Sequence, residues 1–371
     1  MIKVLQMPIR NAKGGITQYA LRNWEHIDKN TFQFDWVTLD KTLSFEDELL
    51  EQGCRVHHLS CRQDDDELRF RTEMEEILSN NYDVIHLHTS YWRGFLAEEI
   101  AIKAGVPKII VHAHSTGIDV SDITERNRLF DRHSTWKEKF SANLATHFVT
   151  CSSPAADFLF GPQIPKDKIV LLRNAIDTEM YAFNPQKRAS VRNRLGFNEE
   201  FIILQPARLE YQKNHSFTLK VFKRLIKKIP NARLLLTGEG DLRSALENEA
   251  MKQEISERVY FLGFRDDIPD LLQAADLLLM PSLFEGLTIA AVEAQCSGIQ
   301  CFFSDQLAVE TILTGNAQMI PLDECIWIEK IIDFAHNMNE RRDQSIEITN
   351  AGYSLIDQIR ILEQLYSGED L

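Results

Sequence analysis

Short apolar runs rich in β-branched and aromatic residues alternate along the chain with longer stretches whose apolar positions recur every three or four residues. The first pattern predicts strands and the second amphipathic helices. In the first half the strands fall at Ile2–Met7, Phe32–Leu39, Cys54–Leu59, Asp83–His88, Lys108–His114, Phe148–Ser152 and Ile169–Arg173, with helices at Ile16–His26, Phe70–Asn80, Ala97–Ala104 and Pro154–Phe160. The second half repeats the theme with strands at Phe201–Ala207, Arg233–Thr237, Val259–Leu262, Leu277–Pro281 and Gln300–Ser304, and helices at His215–Lys228, Leu242–Glu254 and Ile268–Ala274. Near-continuous apolar strands separated by helices indicate parallel sheets covered on both faces, hence an α/β class. The repetition is of architecture; no short sequence repeat accompanies it.

A boundary is visible at Asn174–Tyr181, where NAIDTEMY follows a strand and precedes the polar, basic segment Gln186–Arg194. Two doubly wound domains joined there would leave a cleft, with ligands beyond the carboxyl ends of the strands. The length of 371 residues agrees with two domains, and 44% apolar residues suffice for two cores. The net charge of −14, split as −4 over residues 1–176 and −10 over the rest, argues against a dedicated nucleic-acid binder. Cys54, Cys61, Cys151, Cys296, Cys301 and Cys325 form no CxxC pair, so the reading is reduced, buried thiols of a cytosolic protein. The opening MIKVLQMPIRNAKGG is too short and interrupted in its apolar run for a signal peptide, and no stretch is apolar enough to span a bilayer.

The chemistry is sought at strand ends. In MPSLFEGLTIAAVEAQCSG (280–298) a strand gives way at Pro281 to a loop with Glu285 and Gly286, and a helix starts near Leu287–Thr288 and ends at Gly298. Free N–H groups and the positive end of that helix would accept an anion. Glu285 stands at the helix mouth and Glu293 two turns deeper, where carboxylates can accept hydrogen bonds from vicinal hydroxyls of a ribose or hexose. Two surface glutamates on an ordinary strand–helix junction is the plain alternative, since an E-x7-E spacing arises easily by chance. In PARLEYQKN (206–214), Arg208 and Lys213 lie across a turn and could grip a diphosphate, the one as a flat fork and the other as a movable point charge. Taken alone, a solvated basic turn explains them as well. A basic pair and a helix mouth at strand ends of one domain are together more specific.

These segments resemble family 4 retaining glycosyltransferases of the two-domain GT-B fold, and especially bacterial exopolysaccharide and capsule enzymes. The resemblance runs through KGGITQYALRN near the start, DVIHLHTS (83–90), VHAHSTG (111–117), FLFG (158–161), LLRNAIDT (171–178), PARLEYQKN, LLLTGEGDLRSAL (234–246), FLGFRDDIPDLLQAAD (261–276) and the E-x7-E segment. It implies two Rossmann-like domains facing a central cleft. The acceptor-side domain would span 1–176, with a returning helix at 353–371, and the donor domain 177–352. It implies catalytic roles for His114, Arg208, Lys213 and Glu285. Arg208 and Lys213 would neutralise the donor diphosphate, Glu285 would meet sugar hydroxyls, and His114 would lie close to the transferred sugar. Glu293 would hold the ribose, Gly263, Phe264 and Arg265 would wrap the nucleobase, and the backbone at Gly286, Leu287 and Thr288 would reach sugar or distal phosphate. Gly14 and Gly15 would face phosphate and acceptor. Relatives often carry a carboxylate where this chain has Thr17, and NGID where it has Asn174-Ala175-Ile176-Asp177.

Other features have plainer readings. His86 and His88, like His112 and His114, share a strand face by period-two spacing, but no partner motif completes a zinc set, so packing or support of the site is expected for the first three and a structural role for His57 and His58. Asp64-Asp65-Asp66-Glu67 mimics the DxD motif of another glycosyltransferase fold but follows no strand, and reads as a solvated loop. Gly238-Glu239-Gly240 lacks the third glycine of a dinucleotide fingerprint. The basic and aromatic stretch 125–140 reads as a surface helix or loop, with contact to an anionic membrane as the alternative.

By resemblance, then, the expected protein moves a hexose from a nucleoside diphosphate sugar, uridine ahead of guanosine, to a saccharide or polyprenyl-diphosphate-linked acceptor. It retains anomeric configuration, needs no cofactor or divalent metal, and works in the cytoplasm, with room for peripheral membrane contact through the first domain. A nucleotide-sugar epimerase of the same fold and a non-catalytic nucleotide-sugar-binding subunit are the alternatives.

Overall fold

The structure, a computed structural model, describes residues 1–11, 14–118, 120, 122–285 and 288–368. Two compact units result, one built from Met1–Ile118, Asp122–Asn174 and Ile356–Leu371, the other from Ala175–Leu355.

In the first unit, strands β1 (Ile2–Ile9), β2 (Phe32–Thr38), β3 (Val56–His58), β4 (Val84–Thr89), β5 (Lys108–Ala113), β6 (His147–Thr150) and β7 (Ile169–Leu171) form one sheet in the order β3-β2-β1-β4-β5-β6-β7. Every pairing is parallel. In the second unit, β8 (Phe201–Pro206), β9 (Ala232–Thr237), β10 (Val259–Phe261), β11 (Leu277–Met280), β12 (Gln300–Ser304) and β13 (Ala317–Ile320) pair in parallel in the order β10-β9-β8-β11-β12-β13. The chain direction reverses its walk across each sheet between β1 and β4, and again between β8 and β11. These are the switch points at which doubly wound sheets open a crevice. Strand β13, AQMI with only Ile320 fully buried, carries too little apolar pattern to predict and is an addition to the expected set.

The first sheet has two unlike faces. Leu5, Met7, Ile85, Leu87, Ile109, Val111 and Ala113 enter an apolar core on one side. The alternate positions Gln6, His86, His88 and His112 are buried on the other. The helix Leu355–Ser367 brings Tyr366 to Gln6 and His86 there, so the segment expected to cross back belongs to the first unit. Where the chain passes between units, residues 174–176 and 353–355 run side by side. Ile176 bridges Ser354, its N–H donates to Tyr353 O at 3.0 Å, and its carbonyl accepts from Leu355 N–H at 3.0 Å. Ala175 does not have a positive φ, so alanine fits where relatives carry glycine.

Two expectations need correction, those for the acidic run and for the thiols. The run 64–67 is not a solvated loop throughout: Asp64 is buried and receives Arg93 at 3.0 Å and Arg132 at 2.8 Å, while Asp66 caps the helix Glu67–Leu78. Two guanidiniums explain why a carboxylate tolerates that burial. The basic segment 186–194 lies in the helix Pro185–Leu195, where Arg188 and Arg192 turn inward to Asp276 and to the carbonyls of Ala274 and its neighbours. The thiols are free but not uniformly buried, since Cys325 is exposed and Cys61 half-buried. The stretch 125–140 is mostly helical, within Ile123–Lys139. No helix among the described residues is long and apolar enough to cross a membrane.

Candidate functional site

In the second unit the site is built on two loops, 207–214 after β8 and 281–288 after β11, flanking the switch point. The loops are stitched together by backbone and amide groups. Leu283 N–H donates to Gln212 O at 2.9 Å, Gln212 Nε2 to Phe284 O at 2.6 Å, and Asn214 Nδ2 to Pro281 O at 3.1 Å. Asn214 takes a left-handed conformation, φ 54°, as it opens the helix His215–Leu225, a geometry asparagine tolerates better than most residues. Below them, Gln205 Nε2 donates to Lys213 O at 2.8 Å while its Oε1 accepts from Thr218 at 2.7 Å.

This scaffold sets Lys213 Nζ 2.6 Å from Glu285 Oε2, with Ser282 Oγ donating to the other carboxylate oxygen at 2.5 Å. Glu285 is 6% exposed, so the lysine is what keeps its charge bearable. Arg208, at the head of the same loop, pairs with Glu210. Both cations expected at a diphosphate therefore carry a carboxylate partner. The bends at Gly238 and Gly240 press against this loop: a side chain at either would meet Ala207 O or Leu209 O at 2.4–2.5 Å, with φ of 109° and 159°. The Gly-Glu-Gly run is thus a close-approach device for the arginine loop.

Thr288 caps the helix Ile289–Cys296, its hydroxyl accepting Ala291 N–H at 3.1 Å, so that helix starts one residue later than expected. Gly298 ends it in the left-handed region, and a Cβ there would strike Arg342 O. Glu293 is buried two turns from the loop and accepts Tyr181 O–H at 2.7 Å. After β10, Gly263 accepts Gly238 N–H at 2.7 Å, Phe264 is largely exposed, and Arg265 is locked on Asp267 at 2.5 and 2.7 Å. Gly286 and Leu287 lie outside the described residues.

In the first unit, His114 follows β5, its N–H donating to Thr89 O at 3.2 Å. Gly14 caps the helix Gly15–His26, and Gly15 has open space where a Cβ would project. Thr17 is buried and accepts Arg10 N–H at 2.9 Å, so it holds the turn after β1. His86, His88 and His112 have ring nitrogens within 4.8 Å of one another, a separation a metal could exploit. His86 and His88, however, already use both nitrogens in hydrogen bonds, and His112 uses one. His58 pairs with Glu46 at 2.9 Å, a contact within the scaffold.

Sequence reasoning missed Gln205, Glu210, Gln212, Asn214, Ser282 and Tyr181. Gln205 had a signal, a polar residue inside the apolar run FIILQP, since buried polar groups are the informative exception. The others serve partners distant in sequence, which spacing cannot show.

A family model described as glycosyl transferases group 1 matches residues 187–347, and one described as glycosyl transferase 4-like domain matches 14–175. The chain is 29% identical over 364 residues to the putative glycosyltransferase EpsF of Bacillus subtilis, covering 96% of this chain and 94% of that protein. It is 25% identical over 318 residues to the UDP-Gal:alpha-D-GlcNAc-diphosphoundecaprenol alpha-1,3-galactosyltransferase of Escherichia coli, covering 82% and 79%. Among solved structures, Anabaena HepE in complex with UDP and glucose superposes with TM-score 0.77 at 15% identity, over 99% of this chain and all of that one. Sucrose-phosphate synthase of Thermosynechococcus elongatus gives 0.79 at 16%, over 99% of each. The two family matches each take a little under half of the chain, and the two-sheet architecture agrees with them: the chain is a glycosyltransferase of the GT-B fold, built from a glycosyl transferase 4-like domain followed by a glycosyl transferases group 1 domain.

Proposed function

We propose that this enzyme transfers a hexose from a UDP-sugar to a saccharide or polyprenyl-diphosphate-linked acceptor in exopolysaccharide assembly, with retention of configuration and without a divalent metal. The observation that carries the reading is the stitched pair of loops after β8 and β11, which presents Arg208, Lys213, Glu285 and the mouth of the helix Ile289–Cys296 along one sheet edge. As the bond to the donor phosphate breaks, negative charge grows on the diphosphate. Arg208, Lys213 and the helix mouth offset it, which is the part a metal would otherwise play. Glu285 and Glu293 accept hydrogen bonds from sugar and ribose hydroxyls, and the segment 263–265 meets the base. The acceptor hydroxyl attacks from the face the phosphate leaves, and the departing phosphate takes its proton.

UDP as the donor base is supported by the relatives: the Escherichia coli enzyme is named for UDP-Gal and a diphosphoundecaprenol acceptor, and HepE binds UDP and glucose. The helix Ile123–Lys139, with Ile123 and Phe130 exposed among Arg126, Arg128 and Lys139, suits a lipid-linked acceptor at the cytoplasmic membrane surface. Acceptor-dependent release of UDP, followed in excess chelator, tests the whole. Arg208→Ala should lower turnover by about two to three orders of magnitude with the fold kept. Near-normal turnover, or a strict cation requirement, overturns the reading.

A further inference from the structure

The buried polar face of the first sheet is one continuous row of hydrogen bonds. Gln6 Nε2 donates to Tyr366 Oη at 2.8 Å. Tyr366 Oη lies 2.8 Å from His86 Nδ1, and His86 Nε2 lies 3.1 Å from His112 Nδ1. On the other branch Gln6 Oε1 lies 2.8 Å from His88 Nε2, and His88 Nδ1 lies 2.8 Å from His114 Nε2. The ring of Tyr19 stands edge-on to His88, His112 and His114 at 5.2–5.9 Å. Burial holds all four imidazoles below their usual pKa range, His88 at about 3, so each ring carries one proton and must place it on one nitrogen.

The Gln6 amide, with Nε2 toward Tyr366 and Oε1 toward His88, sets which. Tyr366 has one hydroxyl proton and accepts from Gln6, so it donates to His86 Nδ1. His86 then donates from Nε2 to His112. Gln6 Oε1 can only accept, so His88 carries its proton on Nε2 and leaves Nδ1 bare. That bare nitrogen accepts from His114 Nε2–H. The end of the row, His114 Nδ1, is left as an acceptor, and it is not among the buried atoms lacking a partner. Turning the Gln6 amide by half a revolution would reverse every proton and make His114 Nδ1 a donor.

We propose that Gln6, His88 and Tyr366 are positioning residues that fix His114 as the Nε2–H tautomer, so that it presents a hydrogen-bond acceptor to a hydroxyl of the bound sugar. This rests on the reading of His114 as a sugar-contacting group. The helix that supplies Tyr366 is itself anchored. Lys108, at the start of β5, donates to Leu365 O and, at 3.0 Å, to Tyr366 O, and the phenol ring packs on Phe32 and Phe34 at 5.8–5.9 Å. One strand thus has its beginning tied to the same helix end whose hydroxyl sets the ring at its finish. A metal ion shared by His86, His88 and His112 would have to break this row.

Nitrogen NMR of histidine-labelled protein tests it. His88 and His114, assigned by their losses in His88→Gln and His114→Ala, should each show a protonated Nε2 and a bare Nδ1 at pH 7. Tyr366→Phe keeps the ring packing and removes the hydroxyl. It should blur the single tautomer at His88 and His114 and lower kcat on the order of tenfold to a hundredfold, with donor KM little changed. A protonated Nδ1 on His114, an unaltered tautomer in Tyr366→Phe, or one metal ion per chain in the purified protein would each overturn the proposal. Full turnover by His114→Ala would instead remove the sugar contact on which it rests, while leaving the tautomers as measured.

Discussion

Lys213 and Glu285 come from loops 72 residues apart and meet at 2.6 Å, the carboxylate almost wholly enclosed. Removing the cation strands a buried negative charge, whereas removing both charges does not. Lys213→Ala should therefore cost a few kcal/mol of stability in addition to its loss of turnover, and Lys213→Met with Glu285→Gln should recover the stability without the activity. Denaturant midpoints set beside UDP release give the comparison; equal stability of Lys213→Ala and wild type would show that the pair does not matter to folding.

Arg208 and Glu210 pose the opposite case, a half-exposed pair on the loop assigned to the diphosphate. Glu210 competes with an incoming anion for the same guanidinium. Glu210→Gln should tighten UDP binding, by up to about fivefold given the small worth of exposed pairs, and more at low salt. Calorimetric titration reads this directly, and weaker binding would assign Glu210 a supporting role instead.

Tyr181 belongs to the short helix Thr178–Tyr181 just past the passage between units, and its hydroxyl holds Glu293. Tyr181→Phe should weaken UDP binding by about five- to tenfold, the worth of one ordinary hydrogen bond, with little change in melting temperature. A large drop in melting temperature at unchanged affinity would make the contact structural only.

Several buried histidines must stay neutral in the folded protein: His88 and His215 fall to about 3 and His133 to about 4. The unfolded chain protonates them below about 6.5 and the native one does not, so stability falls as pH drops from about 6.5 toward 3–4, by about 1.4 kcal/mol per pH unit for each such group. Glu98 works the other way. Burial raises it to about 8, so the native carboxyl keeps its proton while the unfolded one loses it above about 4.5, and stability declines from there to about pH 8. Glu98→Gln should raise stability by an amount that grows with pH, on the order of 3 kcal/mol by pH 7 and almost nothing at pH 4.5. Melting curves at three pH values decide it; a pH-independent difference would contradict the buried, protonated carboxyl.

How much of this could be read beforehand follows the range of each interaction. Runs such as Phe201–Leu204 and Leu277–Met280 declare themselves because burial on both faces demands unbroken apolar positions. Gly298 declares the end of its helix because a left-handed residue packed on Arg342 O must lack a side chain. Arg208, Lys213, Glu285 and Glu293 were legible as residue types at strand ends, but not the partners they already hold, since Glu210, Tyr181 and Ser282 reveal themselves only in space. Asp64 misled for the same reason: a run of acids looks solvated until Arg93 and Arg132 fold over it.

The first unit is completed by residues 356–368, which follow the whole of the second unit's 175–355 along the chain. While a ribosome is still making the second unit, the strands carrying Phe34, His86 and Gln6 have no Tyr366 to lie against. A nascent chain must then keep that half-made surface from sticking to its neighbours through nearly two hundred residues of elongation, and a message cut short before the helix Leu355–Ser367 would leave the first sheet's polar row without its phenol, however sound the downstream half.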